Sequence, residues 1–399
     1  MDAEEAHTIG FALWRVRDGR GKSLRVVAGL AGMSKDTLSR IEHGLLSPTL
    51  NQIHALAEAL QISMSELTRL PVPAPANGHT DSTIETIRRV LNGIDIGHPG
   101  GLVLPVAVLR DRVSQLQEMR RGCQFAEVAT DLVGVIRDLH TTLATGTDCG
   151  ELFELVVYLH VQVTNMWLQD AGAPIDLRRE VASLTRRISR EHGENHTLAM
   201  AALATTRQLM STRQFDLAQA ALDALTMPGT TAETAGLVGG LTMRHAAVAA
   251  ADNRPGDAVA AMEAAAELAA RFGETGEHNP LGFAFGPTDV GFRQAALALA
   301  AGEPDRAVSI AEGLQPQRHP FLTRQAAHWT NYGQALARLR GRQNDAVRAL
   351  RRAELMSPHH VLRNPFVRDT LAVLLRRSRR GSPADQELRG MARRASLPV

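Results

Sequence analysis

The chain has 399 residues and 43.1 kDa, which predicts two or three domains of roughly 100–200 residues each. Hydrophobic residues at 44% and charged residues at 22% exclude a disordered composition. Two cysteines, Cys123 and Cys149, exclude a disulfide framework and fit a reducing cytosol. Aromatics are only 4%, so alanine and leucine carry the apolar load and favour helix over strand. The net charge of +2 decides little, but its distribution is uneven. Seven basic residues between Arg15 and Arg40 face Asp18 and Asp36, a local excess that suits a phosphate backbone. Seven arginines in Arg376–Arg394 give a second basic stretch. No apolar run is long enough to predict a membrane span, and the acidic Met1–Glu5 has no secretory character, so a cytoplasmic location is expected.

In chain order, residues 9–67 read as five short helices. Ser23, Ser34 and Thr49 are placed to cap three of them, and Thr49-x-x-Gln52 and Ser63-x-x-Glu66 fit capping boxes. Gly32 supplies a tight turn between the second and third helices. Val27, Leu30, Leu38, Ile41, Ile53, Leu56, Leu60 and Ile62 recur at helical spacing and predict one small core.

The run Ser23-Leu24-Arg25-Val26-Val27-Ala28-Gly29-Leu30-Ala31-Gly32-Met33-Ser34-Lys35-Asp36-Thr37-Leu38-Ser39-Arg40-Ile41-Glu42-His43-Gly44 resembles the helix-turn-helix of the Cro/C1 (XRE) repressor family. Ser47-Pro48-Thr49-Leu50 and Ala57-x-x-Leu60-x-Ile62-Ser63 continue the pattern. The resemblance implies a third helix in the DNA major groove. Lys35, Asp36 and Arg40 would then face bases, with Thr37 and Ser39 nearby. Ser23, Arg25, His43, Ser47 and Asn51 would lie near phosphates. Arg17 and Glu42 occupy positions that usually form a buried ion pair in this family. Leu24 stands where the family commonly has glutamine, which puts one bracing contact in doubt. The alternative for this segment is a helical interaction module that has lost DNA binding.

Pro71-Val72-Pro73-Ala74-Pro75-Ala76-Asn77-Gly78 breaks helices and marks residues 71–80 as a linker. Residues 81–193 read as amphipathic helices, among them Ile84–Leu91, Val106–Met119, Phe125–Leu143, Leu152–Leu168 and Leu177–Ile188, with dimerisation as a candidate role. Tyr158, Asn165 and Trp167 share one of these helices and read as packing residues rather than a ligand cage.

Across residues 194–399 the helices read as pairs. Four alike helix starts place anchor alanines at Ala218, Ala258, Ala307 and Ala346. Asp216, Asp257, Asp305 and Asp345 stand where they would cap the second helix of each pair, and Leu222, Met262, Ala311 and Leu350 follow four residues after each alanine. This predicts a helical-hairpin solenoid, with an irregular bundle as the alternative. Trp329-x-x-Tyr332-Gly333, then Ala346, Ala353 and Pro358, resembles the tetratricopeptide repeat. A helix-turn-helix followed by such degenerate repeats resembles peptide-responsive quorum-sensing regulators and actinobacterial XRE regulators; Phe285–Val290 and Gly302–Ala307 look like the second group. The expected fold is therefore all-α: residues 1–70 a five-helix DNA-binding domain, and residues 194–399 a tetratricopeptide-like solenoid that senses a ligand.

A solenoid's inner face offers a groove for a signalling peptide or small molecule. Polar groups inside otherwise apolar first helices are the candidates: Arg244, His245, Thr288, Asp289, Arg293, His328, Asn331 and Gln334. Arg244 and Arg293 each precede their anchor alanine by fourteen residues and could hold a carboxylate, or else brace neighbouring helices. The long connection Glu274–Pro287 could cover the groove. No nucleotide-binding loop, hydrolase elbow or metalloprotease motif occurs, so neither enzyme activity nor a cofactor is expected. His192 and His196 lie near Glu191 and Glu194 without a third ligand at metal spacing, so no metal is expected. The combined reading is a cytoplasmic, homodimeric transcriptional regulator on a double-stranded, two-fold operator. The alternative is a repeat-type interaction scaffold or a constitutive regulator without a ligand.

Overall fold

A computed structural model describes residues 9–10, 13–14, 16–18, 22–60, 62, 78–146, 149–225, 230–275, 281–378 and 381–397. Among them every regular element is helical, and the only bridge of strand type joins Thr275 to Phe285. The chain is all-α, with an N-terminal helix-turn-helix and a solenoid-like helical region. It forms two compact units: residues 1–75, 294–314 and 326–399 make one, and residues 76–293 and 315–325 the other.

In the first unit, α1 (Leu24–Leu30), α2 (Lys35–Glu42) and α3 (Leu50–Ala59) follow helical residues at 9–10, 13–14 and 16–18. Ser23 Oγ accepts from the Val26 amide, Ser34 Oγ from Thr37, and Thr49 with Gln52 closes a full capping box. Gly32 takes φ +66°, the left-handed turn that glycine adopts without strain. The capping box at Ser63 and Glu66 and most of the linker fall outside the described residues. The core joins Ile9, Leu13, Val27, Ala28, Leu38, Ile41, Ile53, Leu56, Leu60 and Ile62. Leu30, expected in this core, is instead 63% exposed. The buried stripe of α1 runs through Leu24, Val27, Ala28 and Ala31, and Leu30 falls outside it. Gly10 packs so closely on the Ile41 carbonyl that a Cβ would lie 2.1 Å from it, which fixes the first helix against the end of α2.

The C-terminal part of this unit carries α15 (Pro304–Glu312), α17 (Gln343–Met356), α18 (Pro358–Arg363), α19 (Pro365–Arg377) and α20 (Pro383–Arg394). α14 (Pro287–Ala300) and α16 (Leu322–Ala337) each contribute residues to both units. Ala298, Ala307, Leu336, Ala346, Leu350, Ala353, Leu371 and Met391 share one core. Gly333 lets α16 close on Leu350; a Cβ there would lie 2.7 Å from it.

The second unit begins with α4 (Gly78–Asp95), α5 (Val106–Arg121), α6 (Phe125–Leu143) and α7 (Cys149–Tyr158). A six-residue π-helical segment, Leu159–Thr164, leads into α8 (Asn165–Ala171). The sequence reads as one uninterrupted helix there. All six residues of the wider turn are buried, and such turns recur at functional sites. α9 (Ile175–His192), α10 (Asn195–Ser211), α11 (Phe215–Asp223), α12 (Ala235–Ala251) and α13 (Pro255–Phe272) complete the helices that lie wholly within it. Ile87, Val113, Leu132, Val156, Trp167, Val181, Leu203, Leu222 and Leu241 form its core. Trp167 is a packing residue: it stacks on Phe125 at 4.8 Å and donates its indole N–H to the Phe125 carbonyl.

All four anchor alanines are buried, as are Leu222, Met262, Ala311 and Leu350 one turn later. The four aspartates, however, do not cap. Gln214, Arg254, Glu303 and Arg342 occupy the N-cap positions, and none makes a side-chain cap bond. Each aspartate lies inside the first turn, where it complements the helix dipole. Two of them also hold the arginine at the cap: Arg254–Asp257 and Arg342–Asp345 both close at 2.6 Å.

Candidate nucleic-acid interface and a buried cation cluster

The helix-turn-helix presents α2 on a fixed frame. The Arg17 Nε donates to Glu42 Oε1 at 2.7 Å and its Nη2 to Oε2 at 2.9 Å, a two-pronged bond across the core. The Glu42 side chain is 2% exposed, and the hydrogen bond to it raises the Arg17 guanidinium above its ordinary value. A third Arg17 donor reaches the Lys22 carbonyl, tying the segment before α1 to the same pair. With Leu38 and Ile41 buried on one side of α2, Lys35, Asp36 and Arg40 stand exposed on the other. Thr37 and Ser39 are half-buried; the Thr37 hydroxyl pairs with Ser34 Oγ at 2.8 Å, and the Ser39 carbonyl lies 2.7 Å from His43 Nδ1. Ser23, Arg25, His43, Ser47 and Asn51 are all exposed. Leu24 packs partly buried against the core.

The candidate ligand residues divide between the two units. His328, Asn331 and Gln334 lie in the first, where His328 is buried and stacks parallel to Tyr332. Arg244, His245, Thr288, Asp289 and Arg293 lie in the second. His245 pairs outward with Gln219 (3.1 Å) and lies 3.9 Å from Asp223. The buried Thr288 donates its amide to Glu274. Asp289 is buried and accepts from Arg324 at 2.7 Å, with His319 at 3.7 Å.

Arg244 and Arg293 do come together, and with three arginines that spacing alone did not reveal. Arg120 on α5, Arg207 on α10, Arg244 on α12, Arg293 on α14 and Arg324 on α16 lie within electrostatic reach of one another. Burial, then mutual repulsion, pushes Arg207 down to about 10 and Arg244 well below its ordinary value. Arg120 and Arg293 also fall to about 10, again mainly through burial. The Nε atoms of Arg120, Arg244 and Arg293 are closed to solvent and have no hydrogen-bond partner among the described residues. Arg207 and Arg244 each place an Nη1 against a methionine sulfur, Met166 and Met210 respectively.

The described ends of the long connection sit in the same unit. Thr275 and Phe285 bond to each other, and the Phe285 ring fills the space above Gly239, which has no room for a Cβ. The Gly282 carbonyl accepts from Arg121, and the Leu281 carbonyl from Gln162. Residues 276–280, on which the expected groove cover partly rests, lie outside the described residues.

Elsewhere in this unit, the fold brings Glu154 to within 3.3 Å of His196 and 3.7 Å of His192. The three ligand atoms lie within 4.8 Å of one another, a grouping that local sequence spacing did not offer.

A model of the helix-turn-helix domain family matches residues 9–70. The first segment is thus a helix-turn-helix domain, the class of module whose second helix enters the DNA groove. No curated protein is similar to the chain. Among solved structures, the apo form of the competence regulator ComR from Streptococcus vestibularis is similar over 78% of this chain and 100% of that one, at 14% identity. The TM-score of 0.21 is too low to establish a shared arrangement. Among the described residues, no helix is long and apolar enough to cross a membrane.

Proposed function

We propose that the protein is a sequence-specific, DNA-binding transcriptional regulator of the Cro/C1 type whose helical region senses a small ligand. The observation that carries this reading is the exposed face of α2 in a matched helix-turn-helix domain. Lys35 and Arg40 are suited to guanine O6 and N7, and Asp36 to cytosine N4. Ser23, Arg25, His43, Ser47 and Asn51 surround them as phosphate contacts that set register. A homodimer on a palindromic operator follows from the two-fold symmetry such domains use. The paired helices of residues 194–399 are the sensing part, a degenerate tetratricopeptide-like array of the kind found in actinobacterial regulators. Ligand binding there would shift the population of DNA-competent dimers.

DNase footprinting on the DNA upstream of the protein's own gene tests the reading. Two protected half-sites about one helical turn apart are expected. Absence of protection at low salt would favour an interaction scaffold that has lost DNA binding.

A further inference from the structure

We propose that five arginines clustered half-buried in the second unit bind a small, multiply charged anion, phosphorylated or polycarboxylate, and that this anion is the ligand sensed. The inference deepens the sensing reading above and rests on it.

The argument begins with charge. Arg120, Arg207, Arg244, Arg293 and Arg324 have two carboxylates in electrostatic reach, Asp170 and Asp289. Asp289 is already engaged by Arg324. Guanidiniums stay protonated at neutral pH, so the five carry three positive charges beyond what these carboxylates balance. Like charges crowded at half-buried positions repel one another, and their partial exposure leaves them open to a ligand. A bound polyanion would relieve that repulsion.

The neighbouring residue shows the contrast. Arg121 pairs with Glu118, donates to the Gly282 carbonyl and lies over the Phe321 ring at 4.2 Å. It also donates to the Gln117 amide oxygen, which accepts from the Tyr158 hydroxyl as well. That is an arginine used to hold helices together. Arg120, one residue away, leaves its Nε unpartnered, as do Arg244 and Arg293. These five come from five different helices, four of them first members of the repeat pairs, and Arg324 pairs with Asp289.

The ligand's chemistry follows from the excess. A peptide carboxylate supplies one negative charge and leaves two uncompensated. A diphosphate or tricarboxylate supplies three or more, and guanidinium forks bind both groups bidentately. The sulfurs of Met166 and Met210 add a polarisable wall.

The test is thermal unfolding and calorimetric titration of the full chain with inorganic pyrophosphate, citrate and acetate at one ionic strength. Pyrophosphate or citrate should give a saturable rise in Tm that acetate does not. Tighter binding of pyrophosphate assigns a phosphorylated ligand, and of citrate a polycarboxylate. Arg244→Gln and Arg293→Gln should each weaken the binding roughly tenfold or more. Should either fail to fold, Arg293→Lys keeps the charge, loses the fork and should show the same direction of loss. Lys35→Ala should leave the anion response intact, since Lys35 lies on the proposed DNA-binding face. No saturable response to either polyanion, or a response unchanged by the arginine substitutions, overturns the inference. DNA binding is measured on the same samples without anion. Its loss with the anion response intact counts against the regulator reading alone, and the reverse counts against this inference alone.

Discussion

The helix-turn-helix domain and the second unit handle positive charge in opposite ways. In the first, Arg25, Lys35 and Arg40 stand in water, where a charge costs little and is free to meet a partner. Arg17, in that domain's interior, is matched by Glu42 through Nε and Nη2 and by the Lys22 carbonyl through Nη1. In the second, Arg120, Arg207, Arg244 and Arg293 crowd together half-buried; methionine sulfurs lie against Arg207 and Arg244, and the Nε atoms of Arg120, Arg244 and Arg293 have no hydrogen-bond partner among the described residues. Exposed cations suit a large polyanion that wraps around a surface, and half-buried clustered ones suit the small anion proposed above.

The largest effect that would sharpen the contrast is at Arg17. Arg17→Ala leaves the Glu42 carboxylate buried and alone, and should lower stability by about 3–5 kcal/mol in denaturant unfolding. An unchanged midpoint would remove the structural role. Next come the exposed cations: Lys35→Ala or Arg40→Ala should each cost about 1–3 kcal/mol at the specific operator, with little change in melting. If neither alters specific affinity in a mobility-shift titration, α2 is not the reading helix.

Buried histidines give a third, pH-dependent effect. His140 and His160 lie Nε2 to Nε2 at 2.9 Å in the second unit's interior. Burial holds His140, His319 and His328 down at about 4 and also pushes His160 well below its ordinary value. The unfolded chain takes up these protons near 6.5, whereas the fold resists them until about 4. Stability is therefore full above pH 6.5 and falls as the pH drops from there towards 4. Between pH 6.5 and 5 the loss should approach about 2 kcal/mol for each such histidine. A Tm flat over that range contradicts it, and His140→Gln should flatten part of the slope. The smallest effect is at Thr49, whose capping box starts α3: Thr49→Ala should cost about 1 kcal/mol.

Local chemistry made the first domain legible. Ser23, Ser34 and Thr49 announce helix starts because a capping oxygen acts within three residues. The repeat register was equally readable, since a small anchor alanine and the residue one turn on must share a buried face. Leu30 and the four aspartates were misplaced for a common reason. Leu30 sits one position from the buried stripe and each aspartate two or three positions past its cap, and helix spacing alone does not fix that phase. The π-helical turn is hidden in an apolar run that fits an ordinary helix. Arg244 and Arg293 were visible as polar intrusions in first helices, and the same rule extends to Arg207 and Arg324. Arg120 and Glu154 were not visible, because only the packed fold brings them to their partners.

The most direct measurement is the affinity of the full chain for its own upstream DNA across a salt series, with Lys35→Ala and Arg40→Ala in parallel. The account predicts a steep fall of log affinity with log salt, and a preference for the specific site that both substitutions erode. A salt-independent affinity, or one indifferent to sequence and to both substitutions, would contradict it.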